Sequence, residues 1–146
     1  MSGGPSGDDE IQGGDGDDRL AGVNGDDIIN GGRGNDEITG GTGGNNILNG
    51  GGGHDIIEGS LFGQATSTIT GGAGDDLILG GNNDDRIFGN IGDDTIDGGA
   101  GDDEIFGGIG NDDLFGRAGD DTIADNFGVN SVVGGTGNDT FNGQPI

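Results

Sequence analysis

The sequence predicts an all-β solenoid of stacked parallel strands, with two nine-residue units to a coil. Three observations predict it. Residues 71–124 read as six consecutive nines, GGAGDDLIL, GGNNDDRIF, GNIGDDTID, GGAGDDEIF, GGIGNDDLF and GRAGDDTIA, with Asp at the sixth place and an aliphatic at the eighth. A fixed short period marks repeats that bury their apolar side only against their neighbours. Glycine supplies 41 of the 146 residues, which breaks any helix, and no stretch shows a helical apolar period. Position eight is hydrophobic in all 15 units, from Ile11 to Phe141, against a background of 27%.

The units run in order along nearly the whole chain. Starts fall at Gly4, Gly13, Gly22 and Gly31, then, after one extra residue (Gly40), at Gly41 and Gly50. Three extra residues, Gly59, Ser60 and Leu61, precede a start at Phe62, and from Gly71 the frame is unbroken to Asn142. The array therefore covers residues 4–142 of a single domain spanning 1–146, with degenerate units at 59–70 and 125–133. Each unit divides into a six-residue Gly-rich turn and a three-residue strand such as Leu77-Ile78-Leu79. Side chains alternate along a strand, so position eight points inward and positions seven and nine outward. Glycines at positions one, two and four are expected to take backbone conformations closed to other residues. GQPI at the end reads as neither a cap nor an export signal, which leaves uncapped ends open to self-association.

Composition excludes several classes of function. Four Arg scattered singly (Arg19, Arg33, Arg86, Arg117) in a chain of formal charge -24 make no phosphate-tracking stripe, so nucleic acid is not a partner. No apolar run approaches a membrane span, and MSGGPSGDDE has neither the basic region nor the apolar core of a signal peptide. With no Lys, Cys or Tyr and one His, and with nearly every carboxylate in a repeated turn, no site for acid–base catalysis is visible; the chain reads as not an enzyme. Fifteen inward side chains are a thin core for this length and charge, so the metal-free chain is expected to be largely unfolded.

The sixth position carries the chemistry. The turn of one unit lies over that of the unit two further on, about 4.8 Å away. Calcium takes oxygen ligands at about 2.3–2.6 Å, so an ion fits between two stacked turns. Its candidate ligands are the carboxylates of Asp9, Asp18, Asp27, Asp36, Asp55, Asp76, Asp85, Asp94, Asp103, Asp112, Asp121 and Asp139. Backbone carbonyls of the turn glycines complete the set, among them Gly14, Gly16, Gly32, Gly34, Gly72, Gly74, Gly99, Gly101, Gly108 and Gly110.

GGAGDDLIL at 71–79 and GGAGDDEIF at 98–106 match every fixed position of the pattern G-G-x-G-x-D-x-U-x. The chain thus resembles the RTX (repeats-in-toxin) family of calcium-binding nonapeptide repeats over residues 4–142. The resemblance implies a right-handed parallel β-roll of about 15 nonapeptide turns, calcium-dependent folding, and type I-like export of the unfolded chain to the extracellular space. Known family members use the roll as a module of secreted toxins, proteases, lipases, epimerases and adhesins.

Pairing units two apart predicts which sites are intact. Asp9/Asp27, Asp85/Asp103, Asp103/Asp121 and Asp121/Asp139 are complete on one edge, and Asp18/Asp36, Asp36/Asp55, Asp55/Asp76, Asp76/Asp94 and Asp94/Asp112 on the other. Nine calcium ions would bring the formal charge from -24 to -6. Asp27/Asn46, Ser67/Asp85 and Asp112/Asn130 keep one carboxylate and should be weak, and Asn46/Ser67 should be empty.

Other features have competing readings. Asp residues at position five (Asp8, Asp17, Asp26, Asp75, Asp84, Asp93, Asp102, Asp120) read as solvent-facing groups that favour the turn, or as extra ligands. His54 shares that position, with no second His to make a transition-metal site, and reads as a surface residue. Residues 59–70 read as a calcium-free coil or as a contact loop. Phe88 and Phe106 share position nine two units apart and should stack on one outer face, with Leu79 and Phe115 on the opposite face. That surface either stabilises the sheet or docks a second roll, another protein or a glycan. The chain therefore reads first as a calcium-binding structural module and second as an adhesion module. Ice binding would need outward Thr and Asn at positions three and five, and only Thr136/Asn138 fits.

Overall fold

The computed structural model describes residues 6–62, 65–125 and 127–146; Gly4, with which the first unit begins, lies outside them. The chain forms β1 (Glu10–Asp15), β2 (Arg19–Val23), β3 (Ile28–Arg33), β4 (Glu37–Thr42), β5 (Ile47–Gly52), β6 (Ile56–Phe62), β7 (Thr68–Ala73) and β8 (Leu77–Asn82). It continues with β9 (Arg86–Ile91), β10 (Thr95–Ala100), β11 (Glu104–Ile109), β12 (Asp113–Ala118), β13 (Thr122–Ala124), β14 (Ser131–Thr136), β15 (Thr140–Phe141) and β16 (Gln144–Pro145). No helix occurs among the described residues, so none could cross a membrane there.

Odd and even strands separate into two sheets. One runs β1-β3-β5-β7-β9-β11-β13-β15-β16 and the other β14-β12-β10-β8-β6-β4-β2. Every neighbour from β1 to β15 is parallel and two units away in sequence, as in Ile78↔Ile96 and Ile96↔Leu114. Fifteen repeat turns at two per coil thus make a solenoid of about seven coils. Position eight fills its centre: Ile11, Leu20, Ile29, Ile38, Leu48, Ile57, Ile69, Ile78, Ile87, Ile96, Ile105, Leu114 and Ile123 form one buried column, with Val132 and Phe141 packed on its end. In-register aliphatics from two sheets let so narrow a core exclude water.

Four features differ from the sequence reading. Most strands have six residues, not three, because the ladder continues through positions one to three, as in Leu77–Asn82. The turn is correspondingly short. The inserted residues also move. Gly41 pairs with Val23 and has φ +112, so Gly40 takes position one and the slack falls at Gly43 and Gly44, φ +74 and +86. Likewise Gly41 pairs with Ser60 and Thr42 with Phe62, so the unit starts at Gly59 with a bulge after Ser60, and residues 59–62 remain in the sheet. A strand held on both sides cannot slip without turning its core residue outward, so extra residues collect in turns and bulges.

The glycines divide by cause. Gly14, Gly16, Gly32, Gly34, Gly72, Gly74, Gly99, Gly101, Gly108 and Gly110, at positions two and four, all have positive φ, as expected. Position-one glycines do not, contrary to expectation; they are required by close approach, described below. Finally, GQPI is not loose. Gln144–Pro145 turns back antiparallel on β15. The prolyl nitrogen there offers no donor to a further strand, so this edge is capped rather than open.

Candidate metal sites

The chain enters each strand through its position-six residue, and the strand ladder orients that side chain inward. Asp27, Asp36, Asp55, Asp76, Asp85, Asp94, Asp103, Asp112, Asp121 and Asp139 are all buried. One oxygen of each has a structural task. The Asp76 N–H donates to Asp94 Oδ1 at 2.9 Å, and the Asp94 N–H to Asp112 Oδ1 at 2.8 Å. The same bond joins all nine pairs read as complete, on one edge Asp9/Asp27, Asp85/Asp103, Asp103/Asp121 and Asp121/Asp139. On the other it joins Asp18/Asp36, Asp36/Asp55 and Asp55/Asp76 besides the two above. The structure therefore brings together every predicted pair.

The second oxygen is the unusual one. Oδ2 of Asp27, Asp36, Asp55, Asp76, Asp85, Asp94, Asp103, Asp112 and Asp121 is buried and accepts no hydrogen bond. A buried, unmatched carboxylate oxygen is costly, and here it recurs in successive coils from Asp27 to Asp121. Beside it lies the position-one glycine. A Cβ on Gly116 would come closer than 3.0 Å to both Asp121 Oδ2 and the Gly134 carbonyl oxygen, and one on Gly31 would meet Asp36 Oδ2 and Gly50 O in the same way. In most repeats a carboxylate oxygen and a carbonyl oxygen from the next coil therefore converge on position one too closely for any Cβ, which only glycine permits. Among the turn carbonyls, those of position one therefore lie nearest the carboxylate of the coil before, a place marked in the sequence by the glycine that starts nearly every unit. No three acidic or imidazole side chains converge among the described residues, so a bound cation would draw much of its ligand set from the backbone.

Electrostatics express the same shortage of positive charge. Burial pushes the Asp85, Asp94 and Asp103 carboxyls up to about 7 and those of Asp76 and Asp112 up to about 6. The backbone N–H from two units earlier pulls each down, and neighbouring carboxylates push it further up. Asp27, Asp55 and Asp121 are raised for the same leading reason. The four arginines provide no relief. Arg19, Arg33, Arg86 and Arg117 pair on the outer faces with Glu37, Asp15, Glu104 and Asp97.

Asn46 and Asn130 keep the bond and change the charge, whereas the buried Ser67 Oγ accepts no backbone N–H. Asn46 Oδ1 accepts from the Asp27 N–H at 2.9 Å, while its Nδ2 donates to buried Ser60 Oγ at 3.1 Å. The Asn46 amide is satisfied without an ion. Ser67 donates its N–H to Asp85 Oδ1 at 2.6 Å, and Asn130 Oδ1 accepts from the Asp112 N–H at 2.9 Å.

Position five forms a second, outer ladder that the solvent-facing reading missed. Its side chains are exposed, yet the Asp93 N–H donates to Asp75 Oδ1 at 2.9 Å and the Asn111 N–H to Asp93 Oδ1 at 2.8 Å. His54 takes a rung, its Nδ1 accepting from the Asp75 N–H at 2.9 Å. The inner bond runs from the earlier backbone to the later side chain, and the outer bond the reverse way. Asp and Asn serve both ladders because a short side-chain oxygen imitates a peptide carbonyl.

The fold is thus a parallel β-solenoid repeat protein whose two rows of buried, half-satisfied carboxylates offer hard oxygens of the kind that divalent cations take. The chain matches the RTX calcium-binding nonapeptide repeat (4 copies) over residues 4–38, 21–57, 41–62, 63–96, 88–123 and 125–144, and it belongs to that family. A comparison with curated proteins finds no match.

Proposed function

We propose that the chain is a structural module that folds on binding about nine calcium ions, one for each of the nine complete aspartate pairs, and has no chemistry of its own. The observation that carries this reading is the row of buried Oδ2 atoms without a donor, each beside a position-one glycine where no Cβ fits. These oxygens fit a hard dication better than any side chain present. The carboxylates of Asp9, Asp18, Asp27, Asp36, Asp55, Asp76, Asp85, Asp94, Asp103, Asp112, Asp121 and Asp139 would hold the ions, with turn carbonyls of positions one, two and four. Calcium supplies charge neutralisation inside the roll. Oxygen-only ligation at a flexible spacing favours it over octahedral magnesium. Extracellular calcium modules bind with Kd of about 10⁻⁴–10⁻³ M, so a fold that depends on such sites suits an extracellular setting after secretion.

Titrating chelator-treated protein with calcium, followed by far-ultraviolet circular dichroism and calorimetry, tests the proposal. A steep coil-to-β transition with about nine ions bound, and a weaker response to magnesium, is expected. A chain already fully β in chelator would overturn it.

A second reading, adhesion through an outer sheet, rests on exposed apolar side chains. Ile91, Ile109 and Phe127 line up on three successive coils, all more than half exposed. Phe88 and Phe106 do stack, with centroids 5.0 Å apart and rings 6° from parallel. Arg86 lies over both rings at 5.3 and 5.9 Å, so the aromatic pair serves the sheet itself, and the isoleucine row is the better candidate surface.

A further inference from the structure

The unit 125–133 departs from the repeat twice. It has Asn130 at position six, and Asp125 where fellow units place glycine at position one. The two departures meet in space. A Cβ on Gly107 would lie closer than 3.0 Å to Asp125 Oδ2 and Asp112 Oδ2 alike. On Gly116 the corresponding neighbours are Asp121 Oδ2 and a carbonyl oxygen from two units on. The Asp125 carboxylate thus stands where the array otherwise presents a peptide carbonyl.

Its environment holds it there. The Asp125 N–H donates to Asn142 Oδ1 at 3.0 Å, and Asn142 Nδ2 donates to the Asp125 carbonyl at 2.7 Å, which fixes the backbone from both sides. Asp125 Oδ1 accepts from the Phe127 N–H at 3.3 Å. Oδ2 of both Asp125 and Asp112 remains buried with no donor, and the two residues are 4% and 1% exposed. Asn130 does not intervene; its Oδ1 takes the Asp112 N–H and its Nδ2 faces the Phe127 carbonyl at 3.4 Å.

We propose that Asp112 and Asp125 form a further divalent-cation site, of hard-oxygen type, at the end of the even edge. Asp125 replaces the anionic oxygen that Asn130 lacks. The inference rests on the calcium reading above and extends it to a corner where spacing alone indicates a single carboxylate. A carboxylate entering from position one supplies the same charge from a different backbone atom, so the site closes without disturbing the ladder bond.

The test is a calcium count by native mass spectrometry and calorimetry on the intact chain, on Asp125→Gly and on Asp125→Gly/Asn130→Asp. Asp125→Gly restores the repeat's own residue, so it is expected to fold and to bind one ion fewer. The double variant rebuilds the ordinary pair and is expected to return to the wild-type count. Should Asp125→Gly lose its β signal in calcium, Asp125→Asn, which keeps an acceptor for Phe127, is counted instead, with the same one-ion loss expected. An unchanged count in the single variant while the wild-type chain binds calcium overturns this inference alone. No binding by the wild-type chain overturns both readings.

Discussion

Asp94→Asn should change the stability of the roll in opposite directions with and without calcium. Asp94 stands in two predicted sites, with Asp76 and with Asp112. Asn keeps an Oδ1 for the Asp76 N–H, as Asn46 and Asn130 do for their partners. What disappears is the charge at Oδ2, a buried atom with no donor. In chelator at neutral pH that charge is a cost. Its carboxyl is pushed from 3.8 up to about 7, and a carboxyl raised by one pH unit costs the folded, ionised state about 1.4 kcal/mol. Protonation near that pH and relaxation of the turn offset part of this, so a gain of roughly 1–2 kcal/mol is expected. In calcium the balance reverses. At a free concentration one hundred times Kd an ion stabilises the fold by about 2.7 kcal/mol, so weakening two sites removes up to about 5 kcal/mol. A net loss of about 3–4 kcal/mol remains after the electrostatic gain. The assay is urea unfolding by circular dichroism in calcium and in chelator, with sucrose added to the latter to bring the transition into range. A change of the same sign in both solutions would refute the reasoning, because a purely structural role for Asp94 cannot change sign with the metal.

The remaining predictions address other parts of the same arrangement. Gly98→Ala places a methyl against Asp103 Oδ2 and the Gly116 carbonyl, whereas Gly52→Ala meets nothing within 4 Å. The first should lose about 1–3 kcal/mol and one bound calcium, and the second neither, by urea titration and ion counting. Ile96→Ala empties a fully buried column position between Ile78 and Leu114, and should lower stability in calcium by about 2–5 kcal/mol by calorimetry. The metal-free roll should depend on pH with a definite sign. Folded carboxyls raised from 3.8 to about 6–7 bind protons the unfolded chain has released, so stability is greatest below 3.8 and is lost as pH rises through about 7. Circular dichroism in chelator across that window checks it, and β signal that grows with pH would contradict it. Phe88→Ser/Phe106→Ser should lower stability and leave sedimentation unchanged, because Arg86 already covers the stack. A change in oligomeric state would make those rings a docking surface.

Much of the fold was legible because one period governs both backbone and core. Ile78, Ile96 and Leu114 sit two units apart in the sequence and directly opposite one another in the sheet. The aspartate pairs were legible for the same reason. Strand length was not, because Gly80-Gly81 looks like turn chemistry, and only the cross-coil ladder shows that Gly81 opposes Gly99 inside a sheet. The places of the inserted residues were hidden likewise. A run such as Gly40-Gly41 allows two frames, and the choice is made by the partner strand, where Gly41 meets Val23. The place of Asp125 was not legible in the repeat frame, because only the fold brings its carboxylate beside that of Asp112, thirteen residues earlier and one coil away.

The inner ladder also separates two explanations for the acidic repeat. A backbone N–H asks only for a carbonyl-like oxygen at position six, and Asn46 and Asn130 supply one as well as Asp94 does. Without a metal, Asn is the better residue there, since it satisfies the same donor and buries no charge. Yet twelve of the fifteen units carry Asp and two carry Asn. Where Asn46 occurs, its spare nitrogen donates to Ser60 Oγ at 3.1 Å, so its amide needs no ion. Where Asn130 occurs, the buried carboxylate of Asp125 stands opposite Asp112. Turn geometry accounts for Asp or Asn alike, and the proposed cations would account for the preference between them.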